Sequence, residues 1–156
     1  MSNVPSDAEP KSWHRHFAIQ FNNRGWDLAE RDSRTPEETV EMLEAAFSAA
    51  AHWSVIGTPL NRMRAQTLLA QASALAGFGA FALRLADEVR TYFLSQETAS
   101  WELALVHAIH ANAAASAGET GMHKNSYEAA RAALTGVSEK EEREIVMQTL
   151  RMVPIP

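Results

Sequence analysis

Alanine supplies 28 of the 156 residues, and most of it lies in one block from Ala45 to Ala133. Within that block, Ala70-Gln71-Ala72-Ser73-Ala74-Leu75-Ala76-Gly77 returns 41 residues later as Ala111-Asn112-Ala113-Ala114-Ala115-Ser116-Ala117-Gly118. Alanine has the best helix propensity, and its small side chain lets two helix backbones approach closely. A glycine just past such a run stops a helix. The two copies therefore predict stacked helical hairpins.

The rest of the chain extends that pattern. Trp13, Phe17, Phe21 and Leu28 form one stripe, with Gly25 in it, and predict a first helix from Ser12 to Glu30. Thr35-Pro36-Glu37-Glu38 is a start signal, in which Thr35 caps, Pro36 takes the first position and Glu38 closes a capping box. The helix that follows places Val40, Leu43, Phe47 and Ala50 on one face and ends at Gly57. Thr58-Pro59 repeats the cap-and-proline device and opens a third helix through Ala76. After the Gly77-Phe78-Gly79 turn, a fourth helix to about Ser95 faces Phe81, Ala82, Leu85, Ala86, Val89 and Phe93 inward. Thr98 is positioned to cap a fifth helix that ends at Gly118, with Trp101, Ala104, Leu105, Ala108 and Ala115 as its apolar stripe. A loop over Glu119-Thr120-Gly121 precedes a sixth helix with Tyr127, Ala130 and Leu134. Ser138 to Glu141 reads as a further capping box for a seventh, with Ile145, Val146 and Leu150. Short loops between helices imply antiparallel neighbours.

Bulk properties narrow the class. The length suits one domain with a substantial core. Residues 1 to 10, polar and holding two prolines, read as a disordered leader rather than a signal peptide, with residues 11 to 156 as the domain. A formal charge of -5 argues against a nucleic-acid partner. Cysteine is absent, which removes disulfides and thiolate chemistry. No stretch approaches the roughly 20 apolar residues of a membrane span. The expectation is a cytoplasmic protein with no membrane attachment and no cofactor.

The two alanine-rich hairpins resemble tetratricopeptide (TPR) repeats. Leu69-Ala70 precedes Gly77, and Ala82, Ala86 and Val89 follow; in the second copy His110-Ala111 precedes Gly118, and His123, Tyr127 and Ala130 follow. The spacing of 41 departs from the TPR period of about 34, and the proline that closes each TPR unit is missing. His52-Trp53-Ser54-Val55-Ile56-Gly57-Thr58-Pro59-Leu60-Asn61-Arg62, with Glu142-Arg143 and Leu150-Arg151-Met152-Val153-Pro154, is similar to a group of uncharacterised bacterial TPR-like proteins. The resemblance implies an all-α fold: antiparallel hairpins stacked as a short right-handed TPR-like superhelix of about seven helices. It also implies a non-catalytic protein- or peptide-binding scaffold, since such stacks present a groove.

The groove is expected to be lined by polar exceptions in the repeat. These are Asn61, Arg64 and Gln71 from the third helix and His107, His110 and Asn112 from the fifth, with His52 from the junction between the second and third. Gln71 and Asn112 occupy equivalent repeat positions. In the structural reading of the same junction, Trp53 is core, Thr58 a cap, and the arginines partners for surface carboxylates. His107 and His110 stand at i and i+3, so their rings can point the same way. As a metal site they need further ligands, which His123, Glu102 or His52 would have to supply. The alternative function is accordingly a small-molecule or metal-binding enzyme using these histidines and Arg64. The exposed ends of a short stack also allow a homo-oligomer, with the aromatic first helix as the contact surface.

Overall fold

A computed structural model describes residues 10–156. Apart from Pro10, which opens the first helix, the expected leader lies outside the described residues. Seven helices and no strand are found among the described residues: α1 (Pro10–Ala29), α2 (Pro36–Ile56), α3 (Pro59–Leu75), α4 (Gly79–Leu94), α5 (Ser100–Ala117), α6 (Thr120–Leu134) and α7 (Lys140–Leu150). The protein is an all-α arrangement of helical hairpins.

Local chemistry explains most boundaries. Thr35 and Thr58 each accept a bond from the backbone N–H three residues on, while the Glu38 and Asn61 side chains bond back to the cap N–H groups. The two alanine runs end identically. Phe78 N donates to Ser73 O at 2.9 Å and Gly77 N to Ala74 O at 3.1 Å. In the second copy Glu119 N donates to Ala114 O at 2.9 Å and Gly118 N to Ala115 O at 3.1 Å. Both glycines sit at positive φ, 86° and 78°. This is the Schellman closure, which satisfies helix-end carbonyls and favours glycine at the left-handed position. The repeat is therefore structural as well as compositional.

Packing sorts the helices into two layers. The odd-numbered helices α1, α3, α5 and α7 touch in succession, and α2 and α4 pack between their odd neighbours, as α6 packs on α5. The central helices α3 and α5 each meet neighbours on several sides, so both are buried nearly all round over their middle turns. That explains the alanine. Ala70, Ala72, Ala104, Ala108, Ala113 and Ala114 are buried, and larger side chains there would force the axes apart. Leu28, Met42, Leu68 and Ile109 fill the core between them; each contributes about 1.5–3 kcal/mol of burial.

Several expectations need correction. In α2 the buried face is Met42, Ala45, Ala46, Ala49 and Trp53, whereas Val40 and Phe47 are exposed. Wedged between α1 and α3, α2 turns its small residues inward and leaves Phe47 to stack on Phe81 outside. In α1 the small residues Ala18 and Gly25 are buried with Leu28, and Phe17 is exposed. Thr98 does not cap α5; its hydroxyl donates to Phe93 O at 2.6 Å and ties down the end of α4. Ser138 forms no capping box either. Glu139 takes the N-cap position without a side-chain bond, and Arg143 reaches back to Leu134 O and Val137 O. The expected loop at Thr120-Gly121 is already the first turn of α6.

Candidate functional site

A cleft of about 250 Å³ opens across the odd layer. Every helix of that layer contributes to it: Asn22 and Trp26 from α1, with Glu30 just beyond its end; Arg64 and Thr67 from α3; Trp101, Glu102, Leu105 and Val106 from α5; Ile145 and Thr149 from α7. Trp26 and Trp101 are partly buried, each with one side against the main core.

One ion pair and one further carboxylate set the polarity of the cleft. Arg64 grips Glu102 bidentately, Nε to Oε1 at 2.7 Å and Nη2 to Oε2 at 2.9 Å. Such a parallel pair fixes both side chains and is stronger than a single bond. The bond to Glu102 holds the Arg64 guanidinium pKa above its ordinary value. Glu30 differs: burial pushes its carboxyl pKa up, and the nearby Asp27 carboxylate adds to the shift.

Of the seven side chains expected in a groove, Arg64 alone lines this cleft. Asn61 closes the capping box of α3, its Oδ1 accepting from Thr58 N at 3.1 Å and Thr58 Oγ1 at 2.9 Å. Gln71 and Asn112 are 1% and 6% exposed, which leaves them no groove surface; Asn112 Nδ2 donates to Gln71 Oε1 at 3.0 Å inside the protein. His52 stands on α2 and faces α1. Its Nδ1 is 2.9 Å from Nδ1 of His14, and its ring stacks at 5° to Phe21. His107 is half-buried with Nδ1 unpartnered. Burial lowers the pKa of both His52 and His107. Trp53 is core, as the structural reading of that junction has it.

His110 stands in a constellation that no sequence spacing announced. Its Nε2 is 2.7 Å from Asp87 Oδ1 on α4, and its Nδ1 is 2.7 Å from Ser126 Oγ on α6. Arg90 Nη1 lies 3.3 Å from that hydroxyl oxygen. Desolvation lowers the His110 pKa, so the ring is neutral at pH 7, with the proton on Nε2 donating to the carboxylate. Nδ1 then accepts from the Ser126 hydroxyl, and Arg90 donates to its oxygen. Serine, histidine and aspartate are the components of a hydrolytic triad, but their accessibility is reversed. Ser126 is 2% exposed and the Asp87 side chain 48%, so a substrate reaches the acid and never the hydroxyl. The set ties α4, α5 and α6 together. With both ring nitrogens engaged, His110 has none for a metal, and no group of three metal-ligating side chains occurs among the described residues.

No family model, curated protein or solved structure matches this chain. No described helix is long and apolar enough to cross a membrane. The odd-layer cleft combines aromatic walls, one tethered ion pair and one further carboxylate, with no nucleophile–base pair among its lining residues. Sequence reasoning placed Trp101 in the apolar stripe of α5 and gave Trp26 and Glu30 no role, although all three line the cleft. It placed the groove on the face of α5 that carries His107 and His110, opposite Trp101. The signal that separates the two faces is the Arg64–Glu102 pairing, which lies between helices and has no local spacing.

Proposed function

We propose that the protein is a non-catalytic peptide-binding module, a TPR-like stack whose odd helices present the binding cleft. The observation that carries this reading is the cleft itself, to which all four odd helices contribute and none of the even ones does. A surface shared by successive inner helices is what a helical-repeat stack offers to an extended or helical peptide. Trp26 and Trp101 provide large contact area at low entropic cost, the character of residues that dominate binding energy. The Arg64–Glu102 pair is fixed before a ligand arrives, so its remaining donors and acceptors are pre-organised.

Selection from a displayed library of random peptides tests the reading. Peptides enriched on the wild-type protein and lost on Trp101→Ala, with circular dichroism unchanged, are the expected result. Enrichment equal on both proteins, or none on either, contradicts it.

A further inference from the structure

Several carboxylates of α1, α2 and α5 are paired with arginines, but Glu30, which lines the cleft, is not. Asp27 is paired with Arg24 at 2.8 Å and with Arg31 at 3.3 Å. Glu41 is paired with Arg24, Glu38 with Arg31, and Glu102 with Arg64. Arg34 gives its guanidinium to the backbone carbonyls of Leu28, Ala29 and Arg31. Glu30 receives none of these four arginines. Among the described residues its carboxylate makes no hydrogen bond or ion pair, although burial already disfavours its charge. It shares the cleft with the two tryptophans and with Leu105, Val106 and Ile145.

We propose that the cleft selects a basic peptide: a lysine or arginine side chain lays its alkyl stem on Trp26 and Trp101 and brings its cation to Glu30. Three features of the site fit that occupant. With Arg64 and Glu102 cancelling, the cleft carries the net negative charge of Glu30, complementary to a cation. Aromatic faces attract ammonium and guanidinium groups, more strongly where water is excluded. Lysine and arginine stems are apolar and cover apolar surface while the charge sits at the tip. The exposed Ile145, beside Leu105, then receives an apolar neighbour of the basic residue, which a free amine would lack. This inference rests on the reading of the cleft as a peptide groove, and it adds the chemistry of the peptide.

Three blocked peptides of equal length test it by calorimetry: a leucine-containing peptide with a central lysine, the same with methionine there, and the same with glutamate. The lysine peptide is expected to bind wild-type protein about tenfold more tightly than the methionine peptide, equivalent to about 1.4 kcal/mol, and the glutamate peptide weakest. Glu30→Gln is expected to erase the difference between lysine and methionine, with circular dichroism unchanged. Equal binding of lysine and methionine by wild type, or a lysine preference that survives Glu30→Gln, overturns the basic-peptide inference and leaves the groove reading standing. Absence of binding by all three overturns the inference too. The library selection then reports separately on the groove.

Discussion

Asn112 donates a 3.0 Å hydrogen bond to Gln71, its counterpart 41 residues earlier in the chain. Two equivalent positions of a repeat thus meet across the α3–α5 contact, in a site with almost no solvent. A polar pair is tolerated there because the Asn112 amide gives the buried Gln71 carbonyl oxygen a donor. Removing one partner leaves a buried amide unsatisfied. Gln71→Met and Asn112→Leu are each expected to lower unfolding free energy by about 1–3 kcal/mol. The double variant should cost less than the sum of the singles. Urea denaturation of the four proteins measures the coupling, and strict additivity would contradict the pair.

Gly79 starts α4 directly against the end of α5. A Cβ built on it collides with the Ser116 backbone, which cannot yield without moving α5. Gly79→Ala is expected to destabilise by about 1–3 kcal/mol. Gly121 lies in the first turn of α6 with open space around it. Gly121→Ala should therefore be neutral or stabilising, by up to about 1 kcal/mol. Equal melting-point losses from the two substitutions would refute the close approach.

What the sequence made legible was mainly local. Thr35-Pro36 and Thr58-Pro59 start helices, and Gly77 and Gly118 end them, because caps and positive φ depend on a few adjacent residues. Which face of a helix looks where was harder to read. Helices α3 and α5 are buried nearly all round over their middle turns, polar residues included, whereas polarity normally signals exposure. Gln71, Asn112 and His110 break that rule because each finds its partner on another helix. The partners of His110, Asp87 and Ser126, are 23 and 16 residues away on α4 and α6. The same limit hid the cleft: Trp101 looks like core until the layer that leaves it half-covered is known.

Three histidines make stability depend on pH. His52, His107 and His110 all have folded pKa values below the ordinary value, with desolvation the largest cause in each. Charges facing these rings add to it: His14 beside His52, and Arg90 beside His107 and His110, the latter opposed by Asp87. Below their unfolded pKa of about 6.5, the unfolded chain takes up protons that the folded chain refuses. Stability should hold above that pH and fall as the pH drops from about 7 to about 5. Glu30 acts in the opposite sense, since its raised pKa stabilises the fold as pH falls, but in the more acidic carboxylate range. Urea midpoints that stay flat or rise between pH 7 and 5 would contradict the burial of neutral histidines.

Arg64 secures a carboxylate that is 11% exposed. Arg64→Met strands Glu102 without a counter-charge and is expected to cost about 1–3 kcal/mol. Arg64→Met combined with Glu102→Met removes both charges and should recover much of that loss. A single-variant loss under about 0.5 kcal/mol would place the pair among ordinary surface ion pairs, at odds with the bidentate geometry.

The central claim is that the odd-helix cleft is the binding surface. Amide chemical-shift mapping with the lysine-bearing leucine peptide tests it most directly. At saturation the largest shifts are expected at Trp26, Glu30, Arg64, Trp101, Leu105 and Ile145, with the outward faces of α2, α4 and α6 unmoved. Shifts concentrated on those even helices, or around His107 and His110 on the opposite face of α5, would contradict the account.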